Sequence, residues 1–154
     1  MPHRIEALRR VPCESRVRAC DLSRDGSLLI WTDDACNLHY LNLDEDSHAK
    51  SFPLEEEVDH LLCLSNNSVL VDTFSRDAHC MSEKGEILWR INAAGGIEQL
   101  VGTIDRTRFL AIDGMRAAIL FESDGNEIYR HIGRQFILSA IRPDGGAFAL
   151  ADDT

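Results

Sequence analysis

SRDGSLLIWTDD, Ser23 to Asp34, aligns without a gap to RPDGGAFALADD, Arg142 to Asp153, 119 positions further along the chain. A fixed period decides an architecture before single residues matter, and three units of about 40 residues fill that interval. Intermediate copies stand where the period demands them, as NNSVLVD from Asn66 to Asp72 and RTRFLAIDG from Arg106 to Gly114. Each is a polar turn followed by an apolar run. The second half of the unit repeats as well: Leu41, Met81 and Phe121 fall 40 apart, and so do Gly85 and Gly125.

The runs are short, rich in Val, Ile, Leu and Phe, and divided by Asp-Gly, Asn-Asn or Lys-Gly pairs, which is strand and hairpin chemistry rather than helix. Gly, Asn and Asp tolerate the positive φ that tight reversals need. Asp25-Gly26, Asn66-Asn67, Asp124-Gly125 and Asp144-Gly145 therefore mark type I′ or related turns. Four strands per unit are predicted. In the first unit they run Val17 to Leu22, Leu28 to Thr32, Asn37 to Leu43 and Ala49 to Leu54. The second has His60 to Leu64, Val69 to Thr73, Ala78 to Ser82 and Glu86 to Asn92. The third has Ile97 to Ile104, Phe109 to Ile112, Ala117 to Glu122 and Glu127 to Ile132, and the fourth Phe136 to Ile141 and Ala147 to Ala151. The expected fold is all-β, with at most one helical turn near Ile5 to Arg10.

Antiparallel four-stranded units of this period resemble the blades of the β-propeller superfamily, of tryptophan-aspartate repeat and quinoprotein-like type, over most of residues 15 to 154. SEKGEILWR, Ser82 to Arg90, is similar to the Gly-x-x-x-Trp element of quinoprotein-type blades, whose tryptophan docks between neighbouring blades. No Trp-Asp dipeptide is present, for Trp31 precedes Thr32 and Trp89 precedes Arg90. The resemblance implies one partial propeller domain over 1–154, with blades at about 15–54, 58–92, 97–132 and 135–154 and residues 1–14 as an N-terminal arm or extra strand. Closed rings have roughly four to eight blades, so about three and a half leave an open edge that invites association. A homodimer is expected, or a longer partner chain that completes the ring, with Ile5 to Val11 free to pair as an outer strand.

Composition bounds the partners. With 154 residues, 44% of them hydrophobic and 27% charged, the chain can bury a core. No apolar run approaches the roughly 18 residues of a membrane span. Sixteen Lys and Arg against 26 Asp and Glu give a net charge of −10, which disfavours nucleic acid and anionic membrane surfaces. The first thirty residues carry Arg4, Arg9, Arg10, Arg16 and Arg18 and no apolar core, so a secretory leader is not expected and the cytoplasm is. Cys13, Cys20, Cys36, Cys63 and Cys80, an odd number, fit reduced thiols.

Few residues suggest chemistry. Cys36-x-x-His39 and His60-x-x-Cys63 have metal-ligand spacing, yet on a strand residues three apart point to opposite faces. His79-Cys80 diverges for the same reason. Gly95-Gly96 lacks the following helix of a phosphate loop and reads as a turn between blades. Glu122 to Glu127 lacks the twelve-residue calcium pattern. No catalytic residue, metal or cofactor is expected.

The propeller resemblance places the loops between second and third strands on one rim with the blade connections. Those loops hold Asp33 and Asp34, Asp72 and Asp77, Asp113, and Asp152 and Asp153, while Glu55 to Glu57 lie at a junction. Turn chemistry accounts for aspartates in such places; the other reading is a surface for a basic partner or a cation. The expected function is a non-enzymatic interaction module or scaffold that binds a protein partner through Asp33, Asp34, Asp77, Asp113, Asp152 and Asp153. The alternatives are a segment of a quinoprotein-like enzyme holding a divalent ion or cofactor, or a truncated propeller with no independent role.

Overall fold

The repeat shows first in its opening turn. In the computed structural model, which describes residues 10–45, 48–74, 78–91, 93, 95–133 and 136–152, the amides of Gly26, Asn67, Arg106 and Gly145 donate to the carbonyls of Ser23, Leu64, Thr103 and Arg142 at 2.8–3.1 Å. One residue before each donor, the side-chain oxygen of Asp25, Asn66, Asp105 or Asp144 accepts the amide two residues on. The four donors have φ of 61–75°, and the Asx residues before them are not in the left-handed region. The two central residues of each bonded turn, Arg24 and Asp25 in the first, are thus outside the left-handed region and the residue after them is in it, so these are not type I′ turns, which need positive φ at both central residues.

Strands follow from these turns. Blade 1 is β1 (Val17–Leu22), β2 (Leu28–Asp33), β3 (Asn37–Asn42) and β4 (Lys50–Pro53); blade 2 is β5 (Val58–Cys63), β6 (Val69–Thr73), β7 (Ala78–Met81) and β8 (Ile87–Ile91). Blade 3 is β9 (Ile97–Gly102), β10 (Arg108–Asp113), β11 (Ala117–Glu122) and β12 (Glu127–Ile132). Each is a four-stranded antiparallel sheet in sequence order, and β13 (Phe136–Ile141) pairs with β14 (Phe148–Asp152) as a fourth, two-stranded sheet. All fourteen expected strands are present, and no helix occurs among the described residues. Most of Ile5 to Val11 lies outside those residues, and Arg10 and Val11 carry no strand.

The first strand of every sheet has a bulge at the same place. Pairing skips residues 18, 59, 98 and 137 opposite the ends of β2, β6, β10 and β14. A bulge raises the local twist, and its recurrence gives each blade the same bend where it enters the sheet.

Blades stack front to back. Leu28, Ile30, Leu38 and Tyr40 of blade 1 meet Val58, Cys63, Val69, Val71 and Met81 of blade 2. Leu62, Leu70, Ala78 and Cys80 on the other face of blade 2 meet Phe109, Ala111, Ala117, Ile119 and Phe121 of blade 3. Leu110, Ile112, Ala118 and Leu120 meet Phe136, Phe148 and Leu150. Successive side chains of β6 point to opposite faces and both faces are covered, which is why the whole strand is buried and reads as one apolar run.

Aromatic side chains on the outer strands lock adjacent blades. Trp89 on β8 stacks over Phe109, with ring centroids 6.1 Å apart, and a Cβ on Gly125 in the β11–β12 turn would lie 2.7 Å from Trp89 Cδ2. Phe52 on β4 covers Gly85, in the β7–β8 turn, in the same way. Gly85 and Gly125 have φ of 80° and 90°, so each turn needs glycine for its backbone and for the ring packed upon it. The docking tryptophan of SEKGEILWR is thus one of two such locks, the other being a phenylalanine.

Candidate functional site

At one end of each sheet the second-to-third-strand turns meet the connections between blades. Backbone bonds join them: Asp34 N to Arg16 O, Leu54 N to Cys36 O, Phe74 N to Glu57 O, Gly114 N to Gly96 O and Gly133 N to Arg116 O, at 2.7–3.1 Å. Gly95 and Gly114 approach so closely that a Cβ on Gly114 would sit 2.7 Å from Gly95 O. The turns and links therefore form one continuous rim.

The expected binding residues have different fates there. Asp33 and Asp113 are 5% exposed. Asp33 Oδ1 accepts the amides of Ala35 and Asn37 at 3.1 and 2.8 Å, and Asp113 Oδ1 those of Met115 and Ala117 at 3.0 and 2.8 Å. Both carboxylates build their turns. Asp72 is buried in β6 against His60 Nδ1 at 2.9 Å. Asp34 is exposed on the rim, Asp152 ends β14 opposite Phe136, and Asp77 and Asp153 lie outside the described residues. At the junction Glu55 is exposed, while Glu57 pairs with Arg18 at 2.8 Å.

Two rim residues escaped the sequence reading. Phe74 is 59% exposed in the β6–β7 turn, and Met115 is 65% exposed in the β10–β11 turn of the next blade, one residue beyond the point equivalent to Phe74. The signal was present, since a large apolar side chain in a turn does not serve the turn.

The back of blade 1, the face away from blade 2, holds a polar row. Trp31, His39 and Ser51 are register partners across β2, β3 and β4. His39 lies on Trp31, with centroids 4.7 Å apart and planes 9° from parallel. Its Nε2 is 2.8 Å from Asp33 Oδ2 and its Nδ1 2.7 Å from Ser51 Oγ. Burial raises the Asp33 carboxyl, but bonds from His39 and from the amide and side chain of Asn37 outweigh it and hold the group below its ordinary value. A cavity of about 570 Å³ opens over this row, walled partly by residues 10–15. Trp31 and Leu41 are themselves buried.

Cys63 and Cys80 are packed into the sheets. Burial pushes the Cys63 thiol up to about 12 and raises that of Cys80, which lies 3.1 Å from Ser68 Oγ. Neither is a ready thiolate at neutral pH. Among the described residues no three His, Cys, Asp or Glu side chains converge as a metal site, and none of the described helices could cross a membrane because none is present.

No family model and no curated protein matches this sequence. Solved structures do match. BamB from Moraxella catarrhalis, a β-propeller, superposes on 84% of this chain with a TM-score of 0.65 at 14% identity, over 40% of its own length. A chain of the mitotic checkpoint complex superposes on 97% with a TM-score of 0.71 at 11% identity, over 48% of its length. At such identities the likeness shows the fold alone. The chain is a partial β-propeller, and it spans less than half of either propeller chain.

Proposed function

We propose that the chain is a non-enzymatic protein-interaction module whose rim takes a basic partner segment carrying apolar side chains. The observation that supports this is the exposure of Phe74 and Met115 on successive turns, on the same rim as the exposed acids Asp34 and Glu55. Apolar anchors inside a charged surround are the usual anatomy of a protein interface. The net charge of −10 favours a cationic partner and gives it long-range steering. Selection of peptides from a random display library on the intact chain tests the reading. Binders enriched in Lys or Arg together with Leu or aromatic residues, which weaken with salt and shift the Phe74 and Met115 resonances, are the expected result. Binders without that composition, or mapping elsewhere, overturn it.

A second copy is the proposed completion of the ring. The chain covers 40% and 48% of two propeller chains, and β14 has a strand neighbour on one side alone among the described residues. An open strand edge is a template for pairing. Light scattering decides this: a dimer is expected, and a stable monomer of 17.3 kDa at micromolar concentration refutes it. The cytoplasm is the proposed compartment, consistent with five unpaired thiols.

A further inference from the structure

Asp33 and Asp113 make the same turn with the same Oδ1 bonds, but only Asp33 goes on to engage a histidine among the described residues. Its Oδ2 stands 2.8 Å from His39 Nε2. An ionised carboxylate can only accept, so Nε2 carries the proton, and in the neutral ring Nδ1 presents its lone pair to Ser51 Oγ at 2.7 Å. The Ser51 hydroxyl proton therefore points at a base. Asp33 is fixed by the Ala35 and Asn37 amides, and the imidazole is held flat by Trp31, so the row is preorganised. Blade 2 has Val71, His79 and Arg90 in register at the corresponding places, and blade 3 has Ala111, Ile119 and Arg130. A histidine thus recurs in blade 2 without a serine across from it, and the serine facing the histidine is what blade 1 adds among these three.

Nucleophile, base and orienting acid are recognised by geometry and role rather than by fold. We infer that Ser51 is an activated nucleophile and a site of covalent acylation by small activated carboxylic esters, His39 being its base and Asp33 the positioning residue. Ser51 is exposed at a cavity of about 570 Å³ in which Val11, Pro12 and Leu41 supply an apolar wall for a short acyl chain. In the step, Ser51 Oγ bonds to the acyl carbon and the ester C–O bond breaks. The hydroxyl proton passes to His39 Nδ1 and from there to the departing alkoxide. The site is stoichiometric in this account, which leaves the interaction role of the rim intact.

Para-nitrophenyl acetate and a fluorophosphonate are the probes, applied to the intact chain with adducts located by mass spectrometry. Cys13 lines the same cavity, so the measurement is made in a Cys13→Ala background. Ser27, bonded to Asp25 without a histidine, is the internal reference. Ser51 is expected to label at least tenfold faster than Ser27, and His39→Gln to remove that excess while the melting temperature confirms a folded chain. Asp33→Asn would lower the rate, and Ser51→Ala would abolish the adduct with melting unchanged. Labelling of Ser51 no faster than Ser27, or a Ser51 rate unchanged by His39→Gln in folded protein, overturns the proposal.

Discussion

The turns at Asp33 and Asp113 have the same backbone and lead to different surroundings. In each, one carboxylate oxygen ties two amides and a residue three positions on takes positive φ, Cys36 at 58° and Arg116 at 70°. Around Asp113 lie the packed faces of blades 3 and 4; around Asp33 lie Trp31, His39 and Ser51 under a cavity. The comparison separates what the repeat requires from what one blade adds. It also shows that an aspartate in a rim turn is a structural part until its carboxylate is seen to face solvent.

The largest effect expected from this comparison is on stability. Asp113→Ala leaves two turn amides without their acceptor in a buried site and should cost about 3 kcal/mol, read from urea unfolding. Asp33→Ala should cost at least as much, because His39 also loses its partner. Equal and negligible losses would mean that the turns hold without their caps.

Next come the glycines. Gly125→Ala places a Cβ 2.7 Å from Trp89 at a φ of 90°, whereas Gly26→Ala, at 75°, meets nothing within 4 Å. The first should cost about 2–3 kcal/mol from overpacking and backbone strain, the second about 1 kcal/mol from strain alone. Thermal melts of the two variants, side by side, measure how much of the blade lock is contact and how much is conformation.

A smaller effect distinguishes blade 2. The bond from Asp72 raises the His60 imidazole above its ordinary 6.5, against burial, which lowers it, and Asp72 and Asp59 charges add to the rise. A raised folded-state value means that the protonated form is favoured by folding, so this contribution is complete below pH 6.5 and is lost as pH climbs through the raised value. The melting temperature should therefore decline over that window, and His60→Gln should flatten this part of the profile. A slope unchanged in His60→Gln would assign it to other groups.

Much of this was legible in the sequence because the repeat forces it. Short apolar runs between Asx-Gly turns can bury themselves only as stacked sheets, and the fourteen strands fall where the 40-residue period placed them. Bulges shifted some ends: β5 begins at Val58 rather than His60 because pairing resumes on the far side of Asp59. Phe52 was not legible as the counterpart of Trp89 in the preceding blade, since one lock is a phenylalanine and the other a tryptophan. The row Asp33, His39 and Ser51 was hidden for a different reason. Its members come from three strands, and only the register between β2, β3 and β4 brings them together.

Partner binding is proposed to reside in the exposed rim side chains and not in the aspartates that build the turns. Affinity for a selected Lys- and Arg-rich peptide, titrated alongside the melting temperature, tests it in one experiment. Phe74→Ser combined with Met115→Ser should weaken binding at least tenfold with melting unchanged, while Asp113→Asn should lower melting and leave the folded protein's affinity as it was. Unchanged affinity in the double variant, or a tenfold loss in folded Asp113→Asn, would contradict the account.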